Sequence, residues 1–257
     1  MRIAFLCSDD ISNKLFIQTL KKFNFEISVF VENNDSNKKI LVKRKLKNLN
    51  LVEKLFFPLD VLFLVIYKKN INKYLKNSLE LTSDSLIEEK TFLTKDINST
   101  EVYENINNFR PDVIIVRGTS IIRDPLINIK VKYFLNIHGG IVPNYRNVHG
   151  QFWAYYNKDY SNMGSSILHL TKGIDNGKVA LMSNLDIHPE SLKDLHLKIL
   201  MLSNKLTEKL IDNLLTGKEL KSMEQNKEIR PFYGQTPKFF DFMKLFFLKI
   251  KKTLLNK

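Results

Sequence analysis

The chain has one cysteine in 257 residues, Cys7, so no disulfide can form within it and nothing in the sequence asks for an oxidising compartment. Cys7 sits in the first apolar run and reads as a buried, inert thiol. Also missing is the G-x-G-x-x-G turn after that run, which removes the main support for a dinucleotide site. There is no G-x-S-x-G elbow for an acyl-enzyme hydrolase and no Cys/His spacing for a metal. The apolar stretch Leu51 to Tyr67 is interrupted by Glu53, Lys54, Pro58 and Asp60, whereas a membrane span needs about 20 largely apolar residues. The opening Met-Arg-Ile-Ala-Phe-Leu-Cys is too short for a secretory signal and reads directly as a strand, so a cytoplasmic protein is expected.

Acids are also scarce, 27 against 40 Lys and Arg, which gives a formal net charge of +13. That balance predicts attraction to nucleic acid, to an anionic membrane surface or to a small polyanion. Charge alone does not choose among these, and an abundance of Lys, Asn and Ile also follows from an AT-rich coding sequence. From Lys38 to Lys54, Lys38, Lys39, Lys43, Arg44, Lys45 and Lys47 alternate with Ile40, Leu41, Leu46 and Leu49, the pattern of a helix with a solvated basic face. The aromatic residues that single-strand platforms interleave with lysine are missing from residues 38–47, so nucleic acid is not favoured.

What is present reads as α/β. With 44% hydrophobic residues the chain can bury one good core plus a small extension. Ile3 to Cys7 and Ile27 to Val31 read as strands around a helix that starts at Ser8-Asp9-Asp10 and carries Leu15, Phe16, Thr19 and Leu20, the opening of a parallel sheet with crossover helices. Phe92 to Phe109 reads as a strand and a helix. Val113 to Val116 is a short, fully apolar strand of the buried parallel kind, and Phe134 to Ile137 reads as the next strand. Gly150 to Tyr156 follows as a helix with Phe152 and Trp153 buried, then strands at Ser165 to Leu170 and Val179 to Asn184. Ser191 and Asp194 make a capping box ahead of a long helix with Leu192, Leu195, Ile199, Leu202, Leu206 and Leu210 on one face.

The most informative segment is Asn136-Ile137-His138-Gly139-Gly140, at the end of an apolar strand, followed by Pro143, Tyr145 and Arg146. Residues two apart on a strand project to the same side, so Asn136 and His138 share a face. Asp175 lies in a second, glycine-flanked loop, Gly173-Ile174-Asp175-Asn176-Gly177. An amide, an imidazole and a carboxylate suffice to move an acyl group between amines, since the reaction needs an oxyanion donor and a proton acceptor side by side. His169, His188 and His196 read as structural or surface residues, and Arg117 has no evident role.

The pattern Asn-x-His, then Pro-x-Tyr-Arg, then Gly-Ile-Asp-x-Gly resembles the formyltransferases that use 10-formyltetrahydrofolate, over roughly residues 1–190. Two departures stand out: Gly140 where that family often has Ser, and Asn147 where it often has Gly. The resemblance implies an open, mostly parallel, Rossmann-like sheet flanked by helices, with Asn136, His138 and Asp175 as the catalytic residues. It places the folate against Gly118, Ile121 and Ile122, which follow Arg110-Pro-Asp-Val-Ile-Ile-Val-Arg, and against Gly173 and Ile174. It implies an acceptor at Gly139, Gly140, Tyr145, Arg146 and His149, with Tyr233 or Phe232 on a base.

Three segments are expected: a catalytic domain at 1–190, a helix and a rigid aromatic turn (Arg230-Pro-Phe-Tyr-Gly-Gln-Thr-Pro) at 191–237, and a basic amphipathic tail at 238–257. Some 65 residues after the catalytic part are too few for the carboxyl-terminal barrel of methionyl-tRNA enzymes, and the Gly139-Gly140 loop is closer to formyltransferases of surface-polysaccharide pathways. A nucleotide-linked amino sugar is therefore the expected acceptor, with glycinamide ribonucleotide as the alternative. The tail carries Phe239, Phe242, Phe246 and Ile250 on one stripe amid lysines, the composition of an interfacial helix, so peripheral contact with a membrane is a further expectation. A homodimer is an open one.

Overall fold

The computed structural model describes residues 1–33, 46–47, 49–81, 91–186 and 189–255. The basic run at 38–45 and His188 lie outside the described residues.

Strand β1 (Arg2–Ser8) is buried from Ile3 through Cys7, as a central strand covered on both faces must be. Parallel to it run β2 (Glu26–Glu32) on one side and β4 (Val113–Arg117) on the other. Beyond β2 lies β3 (Thr91–Thr94), and beyond β4 lies β5 (Tyr133–His138), all parallel. The order β3-β2-β1-β4-β5 then continues into β7 (Gly164–His169) and β8 (Val179–Asn184), which pair antiparallel. The chain thus turns from parallel to antiparallel pairing at β5, the strand that carries Asn136 and His138.

Helices cover both faces. Phe16, Ile17 and Leu20 of α1 (Asn13–Lys21), Ile71 and Leu75 of α2 (Leu51–Ser78), and Leu200, Leu206 and Leu210 of α5 (Leu192–Leu215) pack against Ile3, Phe5, Val29 and Ile115. On the opposite face Val102 and Ile106 of α3 (Thr100–Phe109) meet Ala4, Leu6, Phe30 and Ile114. The short α4 (Gly150–Tyr156) matches the expected helix, with Phe152 buried but Trp153 only half-buried, because its Nε1 reaches out to the Gln235 carbonyl at 2.8 Å.

Several local expectations are corrected by packing. Helix α1 starts at Asn13 rather than at Ser8-Asp9-Asp10, because the Asp10 carboxylate accepts from the Ser12 amide and hydroxyl and holds a turn there. The interrupted stretch from Leu51 forms one helix of 28 residues, capped reciprocally by Asn50 and Glu53, and it runs through Pro58. At α5 the Ser191 hydroxyl accepts from the Asp194 amide as expected, but the Asp194 carboxylate caps the Glu190 amide, one residue early.

The supposed aromatic turn is an extended segment, β9 (Phe232–Gly234), which pairs parallel with β6 (Tyr145–Asn147). The tail forms α6 (Phe239–Leu255), and half of its aromatic stripe is already occupied. Phe239 meets Phe63 of α2 at 4.7 Å, and Phe242 meets Tyr67 and Phe152 at 4.8 and 5.5 Å.

Candidate active site

Asn136 and His138 leave the carboxyl end of β5 on one side, and the β7–β8 connection carries Asp175 back to them. Asn136 Nδ2 donates to Asp175 Oδ1 at 3.0 Å, and His138 Nδ1 lies 3.5 Å from Asp175 Oδ2. The carboxylate also accepts from the Asn147 amide at 2.7 Å, while Gln225 Nε2 donates to the Asp175 and Gly177 carbonyls, both at 2.8 Å. Asp175 itself has φ 46°, left-handed backbone that aspartate and asparagine tolerate best after glycine. The imidazole and carboxylate side chains are 8% and 11% exposed, so their interaction is little screened.

His138 Nε2 stands 2.8 Å from the Tyr145 carbonyl. A carbonyl only accepts, so Nε2 carries the hydrogen and Nδ1 is the nitrogen turned toward Asp175. Here the Nε2 hydrogen is taken by backbone, and Asn136 keeps one amide hydrogen free of Asp175. Gly140 is required by closeness rather than by φ, because a Cβ there would come within 2.7 Å of His138 Nε2.

The trio heads a cleft of about 440 Å³. One wall is made by Gly118, Ile121, Ile122, Gly173 and Ile174, the residues expected against a folate. Ile121 and Ile174 are 59% and 39% exposed, two apolar side chains at the cleft that a flat heterocycle would cover, so the residues present suit such a group. Gly118 makes the turn with φ +71°. The following loop is anchored by a residue the sequence reading passed over. Glu32, buried at the end of β2, accepts from the Ser120 amide at 2.6 Å and the Ile97 amide at 3.1 Å. Glu32→Ala leaves these donors without that acceptor and is expected to cost about 3 kcal/mol in a urea unfolding curve.

The turn after β1, α2 and α5 also line the cleft. Arg117, which had no role in the sequence, lines it. Its guanidinium lies 4.4 Å over the Phe16 ring and donates to Ser12 Oγ at 3.0 Å and to Asn13 Oδ1, tying the end of β4 to the start of α1. Burial pushes its pKa down and nearby Asp10 opposes that. From α2 come Tyr67 and Lys68, and from α5 His196, whose Nε2 lies 2.6 Å from the Tyr67 hydroxyl. His149, with left-handed φ 58°, lines the cleft as well.

Burial, helped by Lys68 at His149 and by His149 at His196, lowers both imidazoles from 6.5 to about 4. The unfolded chain therefore gains these protons below pH ~6.5 while the folded chain gains them only near pH 4. The stability tied to neutral histidine is present above 6.5 and is lost on the way down to 4. Urea unfolding across that window is expected to show a loss of about 3 kcal/mol from His196, a smaller one from His149, whose share is discounted for its exposure to the cleft, and a shallower slope in His196→Gln.

Of the residues expected at the acceptor, Gly139 and His149 line the cleft. Gly140, Tyr145, Arg146 and Tyr233 stand behind its wall as support. Tyr145 is buried, with its hydroxyl on Asp159 at 3.0 Å, and Arg146 bonds Gln225 at 2.7 Å and the Tyr233 hydroxyl at 3.3 Å. His196, read from sequence as structural or surface, lines the cleft, whereas His169 bonds Ser222 at 2.6 Å away from it. Among the described residues no group of three or more His, Cys, Asp or Glu is placed to hold a metal. Cys7 is buried and its thiol is pushed up to about 12, inert as expected.

Residues 1–206 match the sequence model described as Formyl transferase. The chain belongs to the formyl transferase family. A methionyl-tRNA formyltransferase from Finegoldia magna is 28% identical over 153 residues, 57% of this chain and 47% of the relative, so the match spans about half the length of that relative. The crystal structure of a phosphoribosylglycinamide formyltransferase from Anaplasma phagocytophilum superposes with TM-score 0.57 at 14% identity, covering 91% of this chain and 99% of that one. The formyltransferase PseJ from Anoxybacillus kamchatkensis, solved with a UDP-4,6-dideoxy-4-formamido sugar and tetrahydrofolate, gives 0.51 at 14% identity, covering 91% and 86%. At those identities the two structures establish a shared fold, the mostly parallel seven-stranded sheet of formyl transferases.

Proposed function

We propose that this chain transfers a formyl group from 10-formyltetrahydrofolate to the amine of a nucleotide-linked amino sugar, a step suited to surface-polysaccharide synthesis. The observation that carries the reading is the placement of Asn136, His138 and Asp175 at the head of one cleft that is lined by both apolar and polar side chains. Bound along Gly118, Ile121, Ile122, Gly173 and Ile174, the folate would supply the formyl carbon, which leaves N10 as the acceptor amine bonds to it.

The chain's own groups then manage charge and protons. Asn136 offers its second amide hydrogen to the carbonyl oxygen as negative charge develops there, a contribution of about 3–4 kcal/mol for one well-placed donor. The pair formed by His138 Nδ1 and Asp175 takes the proton that the attacking amine must lose and can return one to the departing N10. The Tyr145 carbonyl and the Asn147 amide hold imidazole and carboxylate in place while this happens.

A nucleotide sugar fits the polar part of this lining, where neutral His149 and His196, the Ser8 hydroxyl and exposed Lys68 offer hydrogen bonds to hydroxyls and one cation to a pyrophosphate. The PseJ neighbour, solved with a UDP-linked formamido sugar, supports the same substrate class. The test is a mass-spectrometric panel of nucleotide-linked amino sugars alongside glycinamide ribonucleotide and methionyl-tRNA. Formyl transfer confined to one or a few nucleotide sugars is expected; turnover with glycinamide ribonucleotide or methionyl-tRNA alone overturns the acceptor assignment.

A further inference from the structure

The helix that lends Tyr67 and Lys68 to the cleft turns a different face outward. Along it Leu55, Leu59, Leu62 and Ile66 repeat at spacings of four, three and four residues and are 73%, 36%, 51% and 46% exposed. The same stripe continues into exposed Lys69 and Lys73. Beside it Phe240 of α6, 55% exposed, packs edge-on against Phe56 of α2 at 4.8 Å and extends the apolar surface. Runs of exposed apolar residues of this extent mark a site of contact rather than ordinary surface.

The charges on these two helices are one-sided. Outside the cleft, helix α2 carries exposed Lys54, Lys69 and Lys73. The acids of the two helices are Glu53, Asp60 and Asp241, and each is engaged inside the fold. Glu53 caps α2 and pairs with Lys238 at 3.0 Å, Asp60 accepts from the Phe239 amide at 2.7 Å, and Asp241 accepts from the Lys238 amide at 2.7 Å. The outward face is therefore apolar residues bordered by lysine. No described helix is long and apolar enough to cross a membrane.

We infer that the outer face of α2, extended by Phe240 of α6, is a peripheral docking surface for an anionic lipid bilayer. An apolar stripe bordered by cations buries its leucines at the level of the headgroups while the lysines meet lipid phosphates. A second copy of this chain pressed against the same face would oppose lysine with lysine, so charge complementarity selects lipid. The tail stripe expected from sequence is only a minor part of this surface, since Phe239 and Phe242 are turned onto α2.

The test is flotation of the full chain with vesicles of phosphatidylglycerol and phosphatidylcholine, and with phosphatidylcholine alone. Binding to the anionic vesicles that weakens with salt is expected. Both L59E/L62E and K69E/K73E should lower the bound fraction about tenfold or more, with the circular dichroism of the wild type retained and lipid-free formyl transfer unchanged. The inference is overturned if the wild type ignores anionic vesicles, if flotation survives both double substitutions, or if sedimentation velocity shows a dimer that L59E/L62E dissociates while lipid binding stays the same. These readouts do not depend on which amine is formylated.

Discussion

Asp175→Asn is expected to lower kcat for formyl transfer by about 10²–10⁴-fold, the range associated with loss of a positioned proton acceptor. The substitution keeps size, and asparagine tolerates the left-handed backbone at this position, where φ is 46°. What changes is the chemistry of the two oxygens. Oδ1 accepts from Asn136 and Oδ2 from the Asn147 amide, so an amide group here must oppose one of those donors with a donor of its own. His138 loses its anionic neighbour in the same step. A thermal unfolding midpoint near that of the wild type, measured beside the kinetics, separates this chemical loss from misfolding.

Asn136→Ala is expected to lower kcat by about 10²–10³-fold with little change in the KM for the folate. The side chain sits at the end of a buried strand and keeps one amide hydrogen unclaimed by Asp175, so it acts on charge that appears only as the reaction proceeds. Asp175 retains the Asn147 amide and the Gln225 clamp on its own carbonyl, so the loop should hold its course. An equal fall in kcat and kcat/KM is the signature to look for. A rise in KM at constant kcat assigns Asn136 to ground-state binding instead.

The sheet and the trio were legible because their signals are local. Apolar runs at Ile3–Cys7 and Val113–Val116 have the both-faces-buried pattern of parallel strands, and the Asn136-x-His138 spacing sets a common side chain direction without reference to anything distant. The part of the cleft built by α2 and α5 was not legible for the opposite reason. Tyr67 and Lys68 reach the cleft only because α2 runs unbroken through Pro58 and packs its last turns under α5, which no neighbouring residue announces. Arg117 and His196 take their meaning from partners at Ser12, Asn13 and Tyr67, far away in sequence. Glu32 did carry a signal, an acid closing the apolar run Val29 to Val31, and buried acceptors of that kind mark loops that must be held. The aromatic segment at 232–234 was misread because turn-forming residues flank a strand whose partner, β6, lies about 87 positions upstream.

The most direct measurement is the mass of nucleotide-linked amino sugars after incubation with 10-formyltetrahydrofolate and either the wild type or Asp175→Asn. Gain of one formyl group is expected with the wild type, with tetrahydrofolate released in equal amount, and nearly none with the variant. Equal formylation by both proteins contradicts this expectation.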